Sequence, residues 1–500
     1  MKQNRSRLEM DTEEFRRIGY RAVDLAAEHF ANIASRPVFV PMTSAEREVL
    51  LSLRLAEDGA SPDEILGFVK QAIFNHPMGN GHPRFFGWVN SPPAMIAAIA
   101  EFLAAVLNPS CAGGDHAAIY LERAVVRWLM EILEWPTGGS MGLLVSGGSM
   151  ASLSCLAAAR HWAAKKNGWD VRSNGLQDGE KRLVMYISSE GHSCLRKAAE
   201  LLGLGERGVR TIAVDGQFHF NLQQLREAID RDRSEGFTPF CVVGNAATVN
   251  SGAVDPLDGL ADVCANEDLW LHIDGAYGAI AVVDPEVAGL YRGMNRAHSL
   301  AVDPHKWLSV PVECGCALVR DGALLRDAFS LVPSYLRTEE GKGFGGLPWY
   351  SEYGFQQSRG FRALKLWATL QHLGRSGLRD LIANHNRLAR QLASQVDASA
   401  ELERLAPVEL SIVCFRYVPN GRHWTEQRLD ALNKRIMETV QSEGKAFLSG
   451  TVLHGKFALR ACVLHYATTL QDVEALVETV LSTGRRLAAE PISSKTAESL

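Results

Sequence analysis

Four short segments of this chain carry side chains able to do chemistry together. Ser146-Gly147-Gly148-Ser149 follows an apolar run and opens a helical pattern. Glycines without Cβ let backbone approach an anion, and the free amides and dipole of a helix start favour a phosphate. His192, in Ser189-Glu-Gly-His-Ser193, can cap a helix, stack on a flat ligand or bind a carboxylate. In His272-Ile-Asp-Gly-Ala-Tyr277 an apolar run ends in Asp274, a group costly to bury without a cation. The small residues after it leave room for something flat. Asp303-Pro-His305-Lys306-Trp307 then sets a lysine between apolar runs. Burial pushes a lysine toward its neutral amine, and such an amine can form a Schiff base.

Each segment alone has a plain reading: a connecting turn, a capping histidine, a structural aspartate, a lysine snorkelling from a strand end. In this order, at the ends of successive parallel strands, they describe a site for pyridoxal 5'-phosphate. Lys306 would bond the aldehyde, Asp274 would keep the pyridine nitrogen protonated, and the amides of Gly147, Gly148 and Ser149 would hold the phosphate. No metal is expected, because Cys314-Gly-Cys316 lacks the two-residue spacer and second ligand pair of a zinc site.

The elements that must position these groups follow from the hydrophobic pattern. Short apolar runs at Gly142 to Ser146, Arg182 to Ser188, Val209 to Val214, Phe240 to Gly244, Trp270 to Ile273, Leu300 to Asp303 and Gly315 to Val319 read as buried strands. Helical patterns at Ser149 to Lys166, His192 to Leu202, Asn221 to Glu235 and Leu257 to Glu267 separate the earlier ones. The alternation predicts an α/β fold with a mainly parallel seven-stranded sheet covered on both faces. Helical spacing from Thr12 to Ile33, and again after Ser61-Pro62, predicts an N-terminal helical arm over 1–90. The large cofactor-binding domain is expected over 91–375, a small α+β domain over 376–490, and a polar tail over 491–500. The small domain would hold strands near Leu410 to Tyr417 and Phe457 to Val463. Its helices are expected at Leu378 to Val396, Thr425 to Ser442 and Leu470 to Leu487, after one at Phe361 to His372.

Composition narrows the function classes. A net charge of −5 gives no electrostatic reason to expect nucleic acid. Nine cysteines, scattered singly apart from Cys314 and Cys316, form no disulfide framework and suit a reducing compartment. The N-terminus is polar and no apolar run approaches a membrane span, so a soluble cytoplasmic protein with a small-molecule partner is expected. The longest apolar stretch, Pro92 to Leu107, is interrupted by Glu101 and predicts a buried helix.

The chain resembles the group II pyridoxal phosphate-dependent decarboxylases, in particular the aromatic L-amino acid decarboxylase family. The matching residues are Pro83-Arg-Phe-Phe86, Gly147-Gly-Ser149, His192-Ser193, Thr248, His272 to Tyr277, Pro304-His-Lys-Trp307 and Arg359-Gly-Phe-Arg362. The resemblance implies fold-type I architecture, like the aspartate aminotransferases, and a homodimer with active sites at the subunit interface. It places His192 over the pyridine ring and Ala276 beneath it. Gly148, Ser149 and His305 fall on the phosphate side, with Thr248 close to the cofactor.

A decarboxylase must hold the α-carboxylate out of the ring plane and then protonate the quinonoid carbon from a fixed acid. Val332-Pro-Ser-Tyr335-Leu336 resembles the family's mobile loop, in which the tyrosine delivers that proton. From spacing alone an exposed loop aromatic is the favoured reading of Tyr335. Relatives that oxidatively deaminate their substrate to an aldehyde carry phenylalanine for this tyrosine or asparagine for the histidine. Retention of Tyr335 and His192 favours decarboxylation of an L-amino acid to its amine. The glycines between 341 and 346 would let the loop close.

Phe85, Phe86, Trp88 and Trp307 would line an aromatic substrate's pocket, unless they are simply packing. Ser358 resembles plant forms that prefer phenolic substrates. Trp88, the segment Ser110 to His116 and Asp303 depart from the animal enzymes, which leaves an acidic or diamino acid open. Gly138-Gly-Ser140-Met-Gly142 matches a serine-hydrolase nucleophile pattern, with Asp274 and His305 following. That elbow must end a strand and open a helix, whereas this one precedes a strand. A catalytically inert interaction protein is at odds with retention of Lys306, Asp274, His192 and Tyr335.

Overall fold

Alternation along the apolar runs decides which face of the sheet each side chain covers. In Leu183 to Ile187, residues 183, 185 and 187 join one apolar cluster while Val184 and Tyr186 join another. Leu300 and Val302 divide from Ala301 in the same way. A period of two with both sets buried is the signature of a strand covered on both faces. The structure is a computed structural model that describes residues 6, 8–176, 182–332, 343–347, 349–421 and 424–490.

The strands are β1 (Phe85–Phe86), β2 (Met141–Val145), β3 (Arg182–Ser188), β4 (Val209–Ile212), β5 (Phe237–Asn245), β6 (Trp270–Asp274), β7 (Ser299–Val302), β8 (Gly315–Val319), β9 (Leu402–Arg404), β10 (Ile412–Tyr417), β11 (Phe447–Leu453) and β12 (Lys456–Cys462). Seven form one sheet in the order β2-β8-β7-β6-β5-β3-β4. β3, β4, β5, β6 and β7 pair in parallel, and β8 runs against both of its neighbours. All seven expected strands are present. The helix Gly148–Lys166 packs through Ala151, Cys155 and Leu156 on one face, and Leu222–Ser234 and Leu257–Asn266 cover the other.

The second sheet has the order β1-β11-β12-β10-β9, with β1 parallel to β11 and the other pairs antiparallel. The helices Glu426–Glu443 and Leu470–Ala489 back it, together with the later part of Arg362–Ala398. Three of its strands have no signal in the sequence pattern. β1 and β9 are only two and three residues long, and the centre of β11, Ser449-Gly450-Thr451, breaks its apolar run. The two helices expected around 361–396 are both present within Arg362–Ala398, separated by a kink at Gly374, whose φ of 63° only glycine adopts without strain.

The helix Met95–Leu107 corrects an expectation. Only Ala97, Ala100 and Ala104 are buried, while Ile99, Phe102 and Val106 are more than half exposed. Alanines let the helix lie close on Arg362–Ala398, and Glu101 pairs with the buried Lys365 at 3.1 Å instead of interrupting a core. All nine cysteines are free thiols and buried.

Burial holds His272, His298, His385 and His465 down to about 4. The unfolded chain takes up protons at these positions near pH 6.5, whereas the folded chain waits until about 4. Stability is therefore present above the unfolded value and is lost as pH falls through that window. Asp255, which burial raises to about 6, and His219, raised by its bond to Glu409, pull the other way but are fewer. The midpoint of urea unfolding is expected to drop between about pH 7 and about pH 5. An unchanged midpoint would show that these rings protonate without unfolding the chain.

Candidate active site

A cleft of about 400 Å³ opens where the strands of the large sheet end. Every strand of the sheet but β4 delivers one part of its wall. Ser146 to Met150 follow β2, His192 and Cys194 follow β3, and Asn245, Ala247 and Val249 come from the end of β5 and the loop after it. Asp274, Ala276 and Tyr277 follow from β6, Asp303, His305 and Lys306 from β7, and Glu313 lies just before β8. Ligands gather at such strand ends because the loops there are free to vary while the sheet holds their roots.

One end of the cleft is built for an anion. Gly147 precedes the 19-residue helix Gly148–Lys166, whose first turn carries no acidic residue. A Cβ on Gly148 would lie 2.9 Å from both Ala276 Cβ and Asp303 Oδ2, so the backbone approaches as closely as it does only because position 148 is glycine. The ring of His305 stands beside this turn, with Nδ1 2.8 Å from the Cys314 carbonyl oxygen and 3.2 Å from the Cys314 amide nitrogen. Burial lowers its pKa.

The other end carries the side chains that would meet a ring. Asp274 is buried and accepts one hydrogen bond, from the Ala276 amide at 3.2 Å. Among the described residues no lysine or arginine forms an ion pair with it, so the cation that compensates this carboxylate must come from what fills the cleft. His192 accepts the Cys194 amide on Nδ1 at 3.2 Å, and burial lowers its pKa against the pull of Asp274. Lys306 Nζ lies 3.2 Å from Asp303 Oδ2. A glycine anion cradle, a carboxylate awaiting a cation and a lysine in one cleft fit pyridoxal phosphate: the phosphate at Gly147 to Ser149, the protonated ring nitrogen at Asp274, the aldehyde at Lys306.

The model of the pyridoxal-dependent decarboxylase conserved domain matches residues 45–418. The chain belongs to that family. It is 34% identical over 468 residues to the aromatic-L-amino-acid decarboxylase of Bacillus atrophaeus, covering 93% of this chain and 94% of that one. Its fold is similar to that of Oryza sativa TDC with PLP and tryptamine, with a TM-score of 0.89, 26% identity, and 96% and 100% of the two chains covered. Catharanthus roseus tryptophan decarboxylase in complex with L-tryptophan gives a TM-score of 0.85 at 25% identity, over 96% and 100% of the chains. The enzyme is a pyridoxal phosphate-dependent amino acid decarboxylase.

Several expected pocket residues lie elsewhere in this decarboxylase. Trp307 is 1% exposed and sits a layer below the cleft, donating to His385 Nδ1 at 2.9 Å and stacked at 4.8 Å on Tyr277, which takes the place at the wall. Phe86 is wholly buried in the core of the small sheet, and Phe85 stacks on Phe447 at 4.8 Å. Their apolar area is spent on packing. Trp88 stays half exposed beside Phe447, and Ser358 is exposed with no part in the cleft wall. Thr248 is buried, its hydroxyl 2.9 Å from that of Ser251, between the wall residues Ala247 and Val249. Ser140 donates to the Arg320 carbonyl just ahead of β2, apart from the cleft, as the failed elbow context implied. Tyr335 lies outside the described residues.

Other residues were not singled out by sequence reasoning. Asn245 reaches the cleft because the buried Asp255 accepts both its amide N–H and its side-chain N–H at 2.7 Å. Arg460 donates to the carbonyls of Val249, Asn250 and Trp88, and its Nη2 is buried with no partner among the described residues. Gly148→Ala is expected to weaken pyridoxal phosphate binding by at least about tenfold, because overpacking pushes on backbone-anchored neighbours. Gly147→Ala, whose Cβ would meet only His305 Cε1 at 3.3 Å, should do much less. Equilibrium dialysis of the cofactor checks the order, and the reverse order would refute the cradle.

Proposed function

We propose that this decarboxylase converts an aromatic L-amino acid to its amine and carbon dioxide, working as a cytoplasmic homodimer. The observation that carries the reading is that Lys306 and the uncompensated Asp274 face one cleft closed at its far end by the Gly147 to Ser149 cradle. Pyridoxal phosphate, when bound, supplies an aldehyde that takes up an amine and a ring that accepts the electron pair left by the departing carboxylate. Lys306 is the residue that bonds it. Asp274 would keep the ring nitrogen protonated, His192 and Ala276 would face the ring, and His305, with the turn amides, would hold the phosphate. Thr248 acts through the loop that carries Ala247 and Val249.

An aromatic substrate is supported by the aromatic and tryptophan decarboxylases that the chain resembles, and by the aromatic surface of Tyr277 in the cleft wall. Arg460, with a guanidinium nitrogen unspent beneath Val249 and Trp88, offers a cation for a substrate carboxylate. Tyr335 delivers the proton to Cα. Tyr335→Phe is expected to keep cofactor binding and lose roughly a hundredfold or more of amine output. Carbon dioxide, amine, aldehyde and peroxide measured together over aromatic, acidic and diamino acids would decide it, and unchanged amine output would remove Tyr335 from the reaction.

Burial of all nine thiols as free cysteines suits a reducing compartment, and no helix among the described residues is long and apolar enough to cross a membrane. The exposed apolar side chains of Met95–Leu107 continue onto the helix Thr12–Asn32, where Phe15 stacks on Phe102 at 6.4 Å. Monomers rarely leave so large a continuous apolar face in water, so a second copy is its expected cover. Phe102→Asp with Val106→Asp should halve the mass seen by light scattering. Unaltered mass would place the subunit contact elsewhere.

A further inference from the structure

Asp303 is the most constrained carboxylate in the cleft. Its side chain is 2% exposed, Oδ1 is buried with no hydrogen-bond partner among the described residues, and Oδ2 lies 3.2 Å from Lys306 Nζ and 3.8 Å from His305 Nε2. It fits beneath the anion turn because two residues there lack a Cβ. One on Gly148 would sit 2.9 Å from Oδ2, and one on Gly315 would sit 2.8 Å from Oδ1. The carboxylate therefore lies directly under the position that receives a phosphate, and the ammonium of Lys306 is the one lysine or arginine charge paired with it among the described residues.

Other titratable groups facing Asp303 do not relieve it. Burial lowers the pKa of His305 and of His192, and raises the Cys314 and Cys194 thiols to about 12. Asp274, across the cleft, adds a second acidic group.

We propose that Asp303 is the internal base that takes the proton from Lys306 when the cofactor's phosphate settles on Gly147 to Ser149. The phosphate brings negative charge onto the turn that already crowds Oδ2, where a neutral acid is repelled less than a carboxylate, and Lys306 Nζ at 3.2 Å is the proton donor within reach. The proton needed to form that acid is in place on Nζ. Transfer from Nζ to Oδ2 leaves a neutral carboxylic acid and a free amine, the form able to bond an aldehyde. As the nitrogen–carbon bond forms, the two remaining amine protons leave with the aldehyde oxygen as water. An ordinary lysine near pH 7 is a free amine in roughly one molecule in two thousand, so a base that acts only when the phosphate arrives makes loading fast without leaving a reactive amine exposed beforehand.

The inference rests on Lys306 being the residue that bonds the cofactor, and loading of the cofactor-free enzyme tests the two apart. Stopped-flow absorbance would follow pyridoxal phosphate loading from about pH 7 to about pH 10, the range below the ordinary lysine value. The wild-type rate is expected to stay nearly flat. Asp303→Asn, isosteric and unable to accept the proton, should load at least tenfold more slowly at the low end and speed up about tenfold per pH unit. Pyridoxamine 5'-phosphate, which has no aldehyde, should bind the variant at least as tightly as it binds wild type, showing that the variant is folded and its cradle intact. A wild-type rate that climbs tenfold per pH unit, or a variant with the wild-type profile, would overturn the role of Asp303. Failure of borohydride to fix the cofactor on Lys306 in the wild type would instead overturn the assignment of Lys306 itself.

Discussion

The site depends on how closely two backbones approach at the end of the large sheet. A Cβ on Gly315 would fall 2.5 Å from Gly147 Cα, which no pair of side-chain-bearing residues tolerates. The approach follows from topology. β8 runs antiparallel between β2 and β7, so its first residue, Gly315, stands opposite Val145 at the end of β2, and Cys316 stands opposite Val302 at the end of β7. The anion turn after β2 and the Asp303 to Lys306 turn after β7 are thereby brought to the same place. Without that contact the cradle and the lysine would belong to separate loops.

β2 lies at the edge of its sheet, where unpaired backbone groups invite disorder or association. Glu122 and Arg359 answer this. Glu122 Oε1 accepts the Leu144 amide at 3.1 Å, Arg359 donates to the Leu144 carbonyl at 2.7 Å, and the two side chains pair with each other while almost wholly buried. Arg359 also donates to the Cys111 carbonyl and lies 4.8 Å over the Tyr350 ring. Removing one partner of a buried pair typically costs about 3–5 kcal/mol, so this pair fixes the strand that carries the cradle. Arg359 stands out in the sequence as part of a motif, yet its work is structural. The same four residues include Arg362, which pairs with Glu313 at the cleft wall.

The legible part of the molecule is the part governed by local periodicity. Six of the seven strands of the large sheet are buried along most of their length and so read as apolar runs, the edge strand β4 being partly exposed, and the four chemical segments sit at strand ends because the strand-to-helix turns of parallel strands fall on one side. The pocket aromatics are illegible for a different reason. Phe86 and Trp307 are as apolar as any substrate wall, and only the pairing of β1 with β11 and the stacking of Trp307 beneath Tyr277 decide that they face inward. The exposed side of Met95–Leu107 is hidden too, since a helix apolar all round looks the same whether its cover is its own chain or another.

These limits have a common structural origin. The groups proposed to hold the cofactor are rooted in the sheet, where Gly148, Asp274, Asp303 and Lys306 are fixed by neighbours on two sides. Groups that would meet a substrate come from elements that cross from other parts of the chain. Trp88 follows β1, the strand that joins the second sheet, and Arg460, on β12 of that sheet, ties Trp88 to the Val249 loop. Cofactor chemistry therefore rests on contacts within one rigid layer, while the substrate wall depends on how the second sheet docks against the first. A sequence change on β11 or β12 could alter which amino acid is accepted without touching the cradle, and that separation lets one fold keep its cofactor while its substrates diverge.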